Sequence, residues 1–543
     1  MTILDPLMPS HAARHHWTTT NLGEAAPGVL TPLCLGLWGA PAERAARRAA
    51  YTIGVLTRAE LTPPADPAEW ILRPIYGRLA MRLEFMATLG DRVPGTTGEE
   101  AIRGMFGEAP PGMTFAPTRE RYAAIAWRFP LTFARFPRVL ERIAVEQDRW
   151  WRQAVRRLPV AGLSEAQRAF AEAAGRFERS SSMQLVGTLC SVQPLYDAVE
   201  KLIAASGVGE IGVLSGTGGA EMAVIADIWR ASRGELTVEQ VLARHGFHGP
   251  AEGELSSVVW RENDAPLRAL VKRYAERPDG ESPVLAERAR GQELIVQQQA
   301  LLAVLPAAKR PAARLVLRLA AARIPTRGVA KRSFLQAIDV ARAAARRAGE
   351  ALAVAGALDD PADVFLLTAE ELAAAGPRSA LRELVATRRA TRADYRRLEL
   401  TTTEWQGLPE TTMAGSVGEP DPEGGPSVIT GTGVSRGVVE GFARVVTDPS
   451  FADVEPDEVL IAPTTDPSWS SIMFISSALV VDMGGALSHA AVVARELRIP
   501  CVVGTRDGTR SLRTGDWVRV DGTAGTVEVL ARGPTPALHP SIP

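Results

Sequence analysis

The chain has 543 residues, 46% of them hydrophobic and 23% charged, and a formal net charge of −1 at pH 7. A chain of that length and balance is a multidomain globular protein of about three core-forming units. Its Lys and Arg are scattered among Asp and Glu, which speaks against a nucleic-acid partner. No apolar run approaches the roughly 18 residues of a membrane span, and the segment from Met1 to Asn21 has no apolar signal core, so no membrane partner is expected and the cytoplasm is the expected location. Cys34, Cys190 and Cys501 lie far apart without a CxxC, which predicts buried thiols rather than disulfides or a zinc site.

From residue 1 to 405 the pattern is mostly helical, one domain or two. Its N-terminal His11, His15 and His16 have metal-like spacing, but no carboxylate or cysteine stands near them in sequence and no metal is assigned. Ser164 with Gln167 reads as a capping box opening a long helix, and Thr237 with Gln240 as another whose helix stops near Gly246. Ser215-Gly216-Thr217-Gly218-Gly219 is a tight turn with the composition of an anion cradle. Phe334, Ile338, Ala341, Ala345 and Leu352 recur at helical spacing, so they form the core stripe of a helix that ends by Gly356.

Residues 406–427 change to Gly, Pro, Glu, Ser and Thr, a composition that cannot bury a core and reads as a flexible linker. A coil of that length spans roughly 25 Å and stretches to roughly 70 Å, enough for the domain beyond it to travel between sites. Residues 428–532 are β-rich, with strands expected at Val438–Val446, Val459–Ala462, Ala478–Val481, Cys501–Val503, Trp517–Val520 and Thr526–Leu530. A Pro-rich tail, 533–543, closes the chain.

The chemical signal lies in Gly484-Gly485-Ala486-Leu487-Ser488-His489 and the apolar helix pattern after it. A buried strand runs into two glycines, then a capping Ser, then a His in the first helical turn. Unpaired N–H groups and the helix dipole favour an anion there, and the glycines let backbone donors approach it. Neutral imidazole is a competent nucleophile toward phosphorus, and phosphorylated, protonated imidazole is a good leaving group.

The stretch from Gly484 through Arg495-Glu496-Leu497-Arg498-Ile499-Pro500 to Gly504 resembles the phosphohistidine signature of the PEP-utilising enzymes. That family includes phosphoenolpyruvate synthase, pyruvate phosphate dikinase, rifampin phosphotransferase and phenylphosphate synthase. The likeness extends upstream through Gly433, Ser435, Gly437, Gly441 and Thr465-Asp466-Pro467-Ser468-Trp469, and downstream through Thr514-Gly515-Asp516 and Asp521-Gly522. It implies a small swivelling β/β/α domain behind a large helical region, with His489 as the phosphorylated residue and Gly484, Gly485, Ser488 and Arg495 around the phosphate. Six positions along a helix turn Arg495 away from His489, which favours an ion pair for it instead.

The helical part resembles the acceptor-binding region of rifampin phosphotransferase-like proteins. The resemblance runs from Asn21-Leu22-Gly23-Glu24 and Thr31 through His245–Pro250, Glu252, Glu254 and Trp260-Arg261-Glu262 to Arg327 with Lys331 and Asp363–Thr368. It departs where Arg327-Gly328 stands for the usual Arg-Glu, and Gly246-Phe247-His248-Gly249 for Gly-His-Arg-Gly. On this resemblance Asn21, Glu24, Thr31, Glu252 and Glu254 are acceptor-binding candidates. His248 is a candidate general base, oriented by Glu252 or Glu254, and the two carboxylates are alternatively candidates to hold Mg²⁺. Arg327 and Lys331, one helical turn apart, are candidates to clamp the phosphoryl group.

Neither an ATP-grasp domain nor a pyruvate-binding barrel is legible, and no Walker A loop is present in the sequence. The resemblance then implies a phosphotransferase whose Mg²⁺ and ATP are bound mainly by an ATP-grasp partner, with an organic hydroxyl acceptor, apolar or aromatic by analogy. Two rivals stand beside it: a component of phosphoenolpyruvate synthase-like chemistry, and a non-enzymatic ligand-binding or regulatory protein with a phosphorylatable His domain.

Overall fold

The Thr326–Val354 helix organises the first part of the molecule. Phe334, Ile338, Ala341, Ala345 and Leu352 are all buried on it, as their spacing predicts. Burial extends well beyond that stripe, however, taking in Gln336, Asp339 and Arg342 as well, so this is a central helix and not a surface one. The long Tyr122–Arg157 and Leu163–Gly187 helices pack on it. The first of these runs through Pro130 and Pro137, each of which removes an N–H from the helical ladder.

The computed structural model describes residues 15–20, 22–106, 109–207, 219–413, 428–447, 454–465, 469–485 and 488–533. The chain divides into two compact units. The first comprises Met1–Ala220, Glu239–Asn263 and Val284–Val417, and the second Glu221–Val238, Asp264–Pro283 and Gly418–Pro543. Among the described residues, no helix is long and apolar enough to cross a membrane.

Local signals in the helical unit held in part. The Val238–His245 helix follows Thr237 and stops before Gly246 as expected. The box at Ser164 and Gln167 does not form: the helix begins at Leu163 after Gly162, with no side-chain cap. Gln167 instead donates its amide to the carbonyls of Leu372 and Ala375, both at 2.8 Å, so tertiary acceptors outcompete the local one. A capping box does form at Thr368 with Glu371, opening the Ala369–Ala374 helix. Four short strands not anticipated from sequence, His16–Thr18, Leu72–Ile75, Arg78–Arg82 and Glu404–Gln406, make a small antiparallel sheet. The stretch expected as linker starts in order, since Thr411–Met413 pairs with Leu398–Leu400. Residues 414–427 and the tail from 534 lie outside the described residues, as do His11 and the Ser215–Gly218 turn.

In the second unit an eight-stranded sheet carries every strand the sequence predicted. Val438–Val445, Val459–Ala462, Ala478–Val481 and Cys501–Val503 run parallel. Val459–Ala462 and Ala478–Val481 are buried at all four positions, the mark of parallel strands covered on both faces. Trp517–Asp521 and Thr526–Ala531 extend the sheet antiparallel on one side. Val428–Thr430 and Thr432–Ser435, unpredicted because their Thr-Gly-Thr-Gly sequence reads as a turn, form its two edges. The small helices Ser470–Met473, His489–Leu497 and Gly508–Ser511 belong to this domain, which gives the helical region followed by a small sheet domain that the sequence implied.

The three cysteines are free and buried. Burial pushes the thiols of Cys190 and Cys501 up to about 12, and burial together with the nearby Glu254 charge raises Cys34 well above its ordinary value.

Candidate active site

His489 opens its helix, with Ser488 at the N-cap accepting from the Ala491 N–H at 3.3 Å. Gly484, at φ +138°, makes the cap possible: a Cβ there would sit 3.0 Å from both Cβ and Oγ of Ser488. Among the described residues, nothing lies within 4 Å of where a Cβ on Gly485 would sit. The strand before the glycines is anchored by Asp482, which accepts from Thr505 Oγ1 at 2.8 Å and from the Thr509 N–H and hydroxyl.

The imidazole is 4% exposed. Its Nε2 lies 3.2 Å from Ser470 Oγ and its Nδ1 3.3 Å from Thr465 Oγ1, and both hydroxyl residues are buried. A hydroxyl can donate or accept, so this pair suits neutral imidazole in either tautomer. The neutral ring is the nucleophilic form. Thr465 was legible only as part of the longer resemblance, and Ser470 not at all, because a hydroxyl after a buried strand carries no distinctive spacing. Arg495 has a structural contact through its Nε. That nitrogen donates to the Val434 carbonyl at 2.7 Å and fastens the helix to an edge strand, as its place six residues beyond His489 allows.

In the helical unit, the loop after Gly246 builds a second constellation. His248 Nδ1 is 2.7 Å from Glu252 Oε2, and both side chains are buried. The ring packs among Phe247, Trp260 and His245. Glu254, expected beside them, is engaged elsewhere: it accepts from the Thr31 N–H at 2.9 Å, the Thr31 hydroxyl at 2.6 Å and the Ser256 N–H at 2.9 Å. Thr31, a candidate acceptor contact, is thereby a buried tie between the Pro32–Trp38 helix and this loop. Glu252 and Glu254 thus take different partners, His248 and Thr31. Among the described residues, no group of three or more His, Cys, Asp or Glu is arranged to hold a metal ion.

The loop is held from the central helix. Buried Asp339 accepts from Trp151 Nε1 at 2.7 Å and from Arg261 at 2.9 and 3.2 Å. Arg342, fully buried, pairs with Asp339 at 3.3 Å and donates to the carbonyls of Glu252 at 2.9 Å and Glu254 at 3.1 Å. Burial alone would raise the Asp339 carboxyl, but the charges and hydrogen bonds of Arg261 and Arg342 outweigh it and hold it below its ordinary value. Sequence reading missed this network because charged residues in the middle of a helix read as its solvated face. Arg327 and Lys331 fall in the first two turns of the same helix, half-buried. Asn21 lies outside the described residues, and so does the side chain of Glu24 on the short Leu22–Ala25 helix. His15 and His16 meet carboxylates that sequence distance hid: His16 Nδ1 is 2.9 Å from Glu84, and His15 Nε2 3.3 Å from Glu69.

Within this parallel-centred sheet domain, with its hydroxyl-flanked histidine at a helix start, residues 454–525 match the model described as "PEP-utilising enzyme, mobile domain". Residues 232–328 match "Rifampicin phosphotransferase fourth domain". Two separate segments of the chain are thus similar to PEP-utilising enzymes, and the second of them to the rifampicin phosphotransferases. It is 37% identical over 191 residues to the rifampicin phosphotransferase of Streptomyces sviceus, covering 34% of this chain and 21% of that one. Against the rifampicin phosphotransferase of Bacillus subtilis it is 34% identical over 215 residues, 38% of this chain and 23% of the other. An uncharacterized protein of Mycobacterium tuberculosis is 34% identical over 304 residues, 54% of this chain and 31% of its own length. The matched stretch thus spans about a third or less of these relatives.

Proposed function

We propose that this chain is a phosphotransferase component that carries a phosphoryl group on His489 from an ATP-grasp protein to an organic hydroxyl acceptor bound by the helical unit. The observation that carries the reading is the buried imidazole at a helix start, each ring nitrogen facing a hydroxyl, inside a domain that matches the mobile domain of PEP-utilising enzymes. A ring nitrogen of neutral His489 attacks phosphorus, the N–P bond forms and the donor's P–O bond breaks. The Ser488 cap and the helix dipole favour the dianionic product. In the second step the acceptor oxygen attacks phosphorus and the N–P bond breaks. The imidazole leaves as the neutral ring once a proton reaches it.

His248 suits the acceptor side. Glu252 holds its Nδ1, which orients the ring for general-base work on the acceptor hydroxyl. No step is assigned to Mg²⁺ on this chain, and the metal comes with the nucleotide on the partner. The aromatic surroundings of His248 fit an apolar or aromatic acceptor, in keeping with the rifampicin named for the relatives.

The test is phosphoryl transfer from β- or γ-labelled ATP to the full chain, alone and with candidate ATP-grasp proteins, against His489→Ala. Acid-labile, base-stable label from the β position, appearing only with a partner and absent in His489→Ala, is the expected result. Label from phosphoenolpyruvate in place of ATP would change the donor, and label that survives in His489→Ala would remove the carrier.

A further inference from the structure

The second unit combines the sheet domain with two helical stretches far from it in sequence, and their contact falls on the turn that touches His489. Tyr274, on the Ala265–Ala275 helix, is fully buried and donates its hydroxyl to the Ser471 carbonyl at 2.9 Å. Its ring centroid lies 4.8 Å from that of Phe474, and Trp229, on the Gly219–Ser232 helix, approaches the same ring at 6.1 Å. Arg233 braces this platform: its guanidinium stands 4.1 Å over Trp229, donates to the Tyr274 carbonyl at 3.0 Å and pairs with Asp279 at 2.8 Å. Between Ser471 and His489 there is one residue of leverage, Ser470, whose hydroxyl lies 3.2 Å from Nε2.

We propose that these two helices form a parking surface for the phosphohistidine turn, on which Tyr274 holds residues 469–474 so that Ser470 keeps His489 covered. Phosphoryl transfer needs a ring nitrogen within roughly 3–3.5 Å of phosphorus and in line with the breaking bond. In the parked arrangement Ser470 and Thr465 occupy those approaches, and the ring is almost without exposure. Moving Ser470 aside displaces Ser471 and Phe474, which strains the tyrosine hydrogen bond and the aromatic packing together. The parked state therefore shields the histidine, and Tyr274 sets how often it opens. The occupant is this chain's own turn, and its meaning for catalysis rests on the carrier role of His489.

Diethyl pyrocarbonate tests this on the full chain without any phosphoryl donor. A neutral ring nitrogen attacks one carbonyl carbon of the reagent, a C–N bond forms, ethyl carbonate leaves, and the ring proton passes to water. Peptide mass spectrometry follows the rate at His489, with buried His248 as the comparison. Tyr274→Phe keeps the ring and loses the hydroxyl, and Ser470→Ala removes the cover directly. Each is expected to speed modification of His489 about five-fold, the worth of one net hydrogen bond, while His248 keeps its wild-type rate. Phe474→Leu, which loosens the packing without touching either hydroxyl, is expected to act in the same direction. Unchanged rates at His489 in Tyr274→Phe and Phe474→Leu overturn the proposal, and so does a parallel rise at His248, which would mean general loosening. Because the reagent acylates exposed imidazole whether or not it is ever phosphorylated, failure here leaves the labelled-ATP experiment untouched, and failure there leaves this result standing.

Discussion

Replacing Asp339 with Asn removes one charge from the interior and keeps the shape. Asp339 and Arg342 are both 0% exposed, and Arg261 and Trp151 complete the carboxylate's partners. The amide presents an NH₂ where one carboxylate oxygen received N–H donors, so Arg342 is left without its countercharge. Breaking a buried pair from one side costs about 3–5 kcal/mol, which is the expected loss from the helical unit. Urea unfolding followed by tryptophan fluorescence measures it through the midpoint at unchanged slope. A loss under about 1 kcal/mol would refute the reasoning, since the arginines would then be satisfied without Asp339. The pH dependence gives a second check. The folded carboxyl titrates below its unfolded value, so its stabilisation is fully present above the unfolded value near ~3.9 and fades as pH falls through the folded one. The gap between wild type and Asp339→Asn is therefore expected to be full at neutral pH and to close in strong acid.

Glu252→Gln keeps a hydrogen-bond partner for His248 but removes the negative charge 2.7 Å from its Nδ1. Labelling of His489 is expected to stay at the wild-type level while delivery to the acceptor falls by about 10²-fold, in the range of general-base contributions, as measured by chase of the labelled chain. Gly253→Ala places a Cβ 1.7 Å from the Ala25 carbonyl oxygen, a backbone atom. A loss of more than about 2 kcal/mol is expected by the same unfolding assay, since overpacking against backbone cannot relax cheaply. The thiols of Cys34, Cys190 and Cys501 are buried and raised. A thiol-disulfide reagent at pH 8 is expected to report none in the native chain and three after unfolding.

The legible parts of this protein are those where one period or one turn type decides the outcome. Val459–Ala462 and Ala478–Val481 read as buried strands because four apolar residues are bounded by turn residues, and they occur with those bounds. The place of His489 at a Ser-capped helix start was legible because its glycines, cap and helix lie together in sequence. Asp339 escaped because its partners Trp151 and Arg261 are 188 and 78 residues away. Glu252 and Glu254 are alike on the sequence as partners for His248, and only the fold shows Glu254 accepting from Thr31, 223 residues distant. Ser164 and Gln167 had the right spacing for a local cap and lost to carbonyls that only the folded chain supplies.

The interleaving of the two units has a consequence for how this architecture is inherited. The chain passes between them five times, at residues 220, 238, 263, 283 and 417. A recombination event that transplants only the stretch after residue 417 leaves Trp229 and Tyr274 behind, and delivers Phe474 to its new host without the surface it rests on. The sheet domain of this lineage is therefore expected to descend together with residues 221–238 and 264–283, as one heritable block with gaps in its sequence.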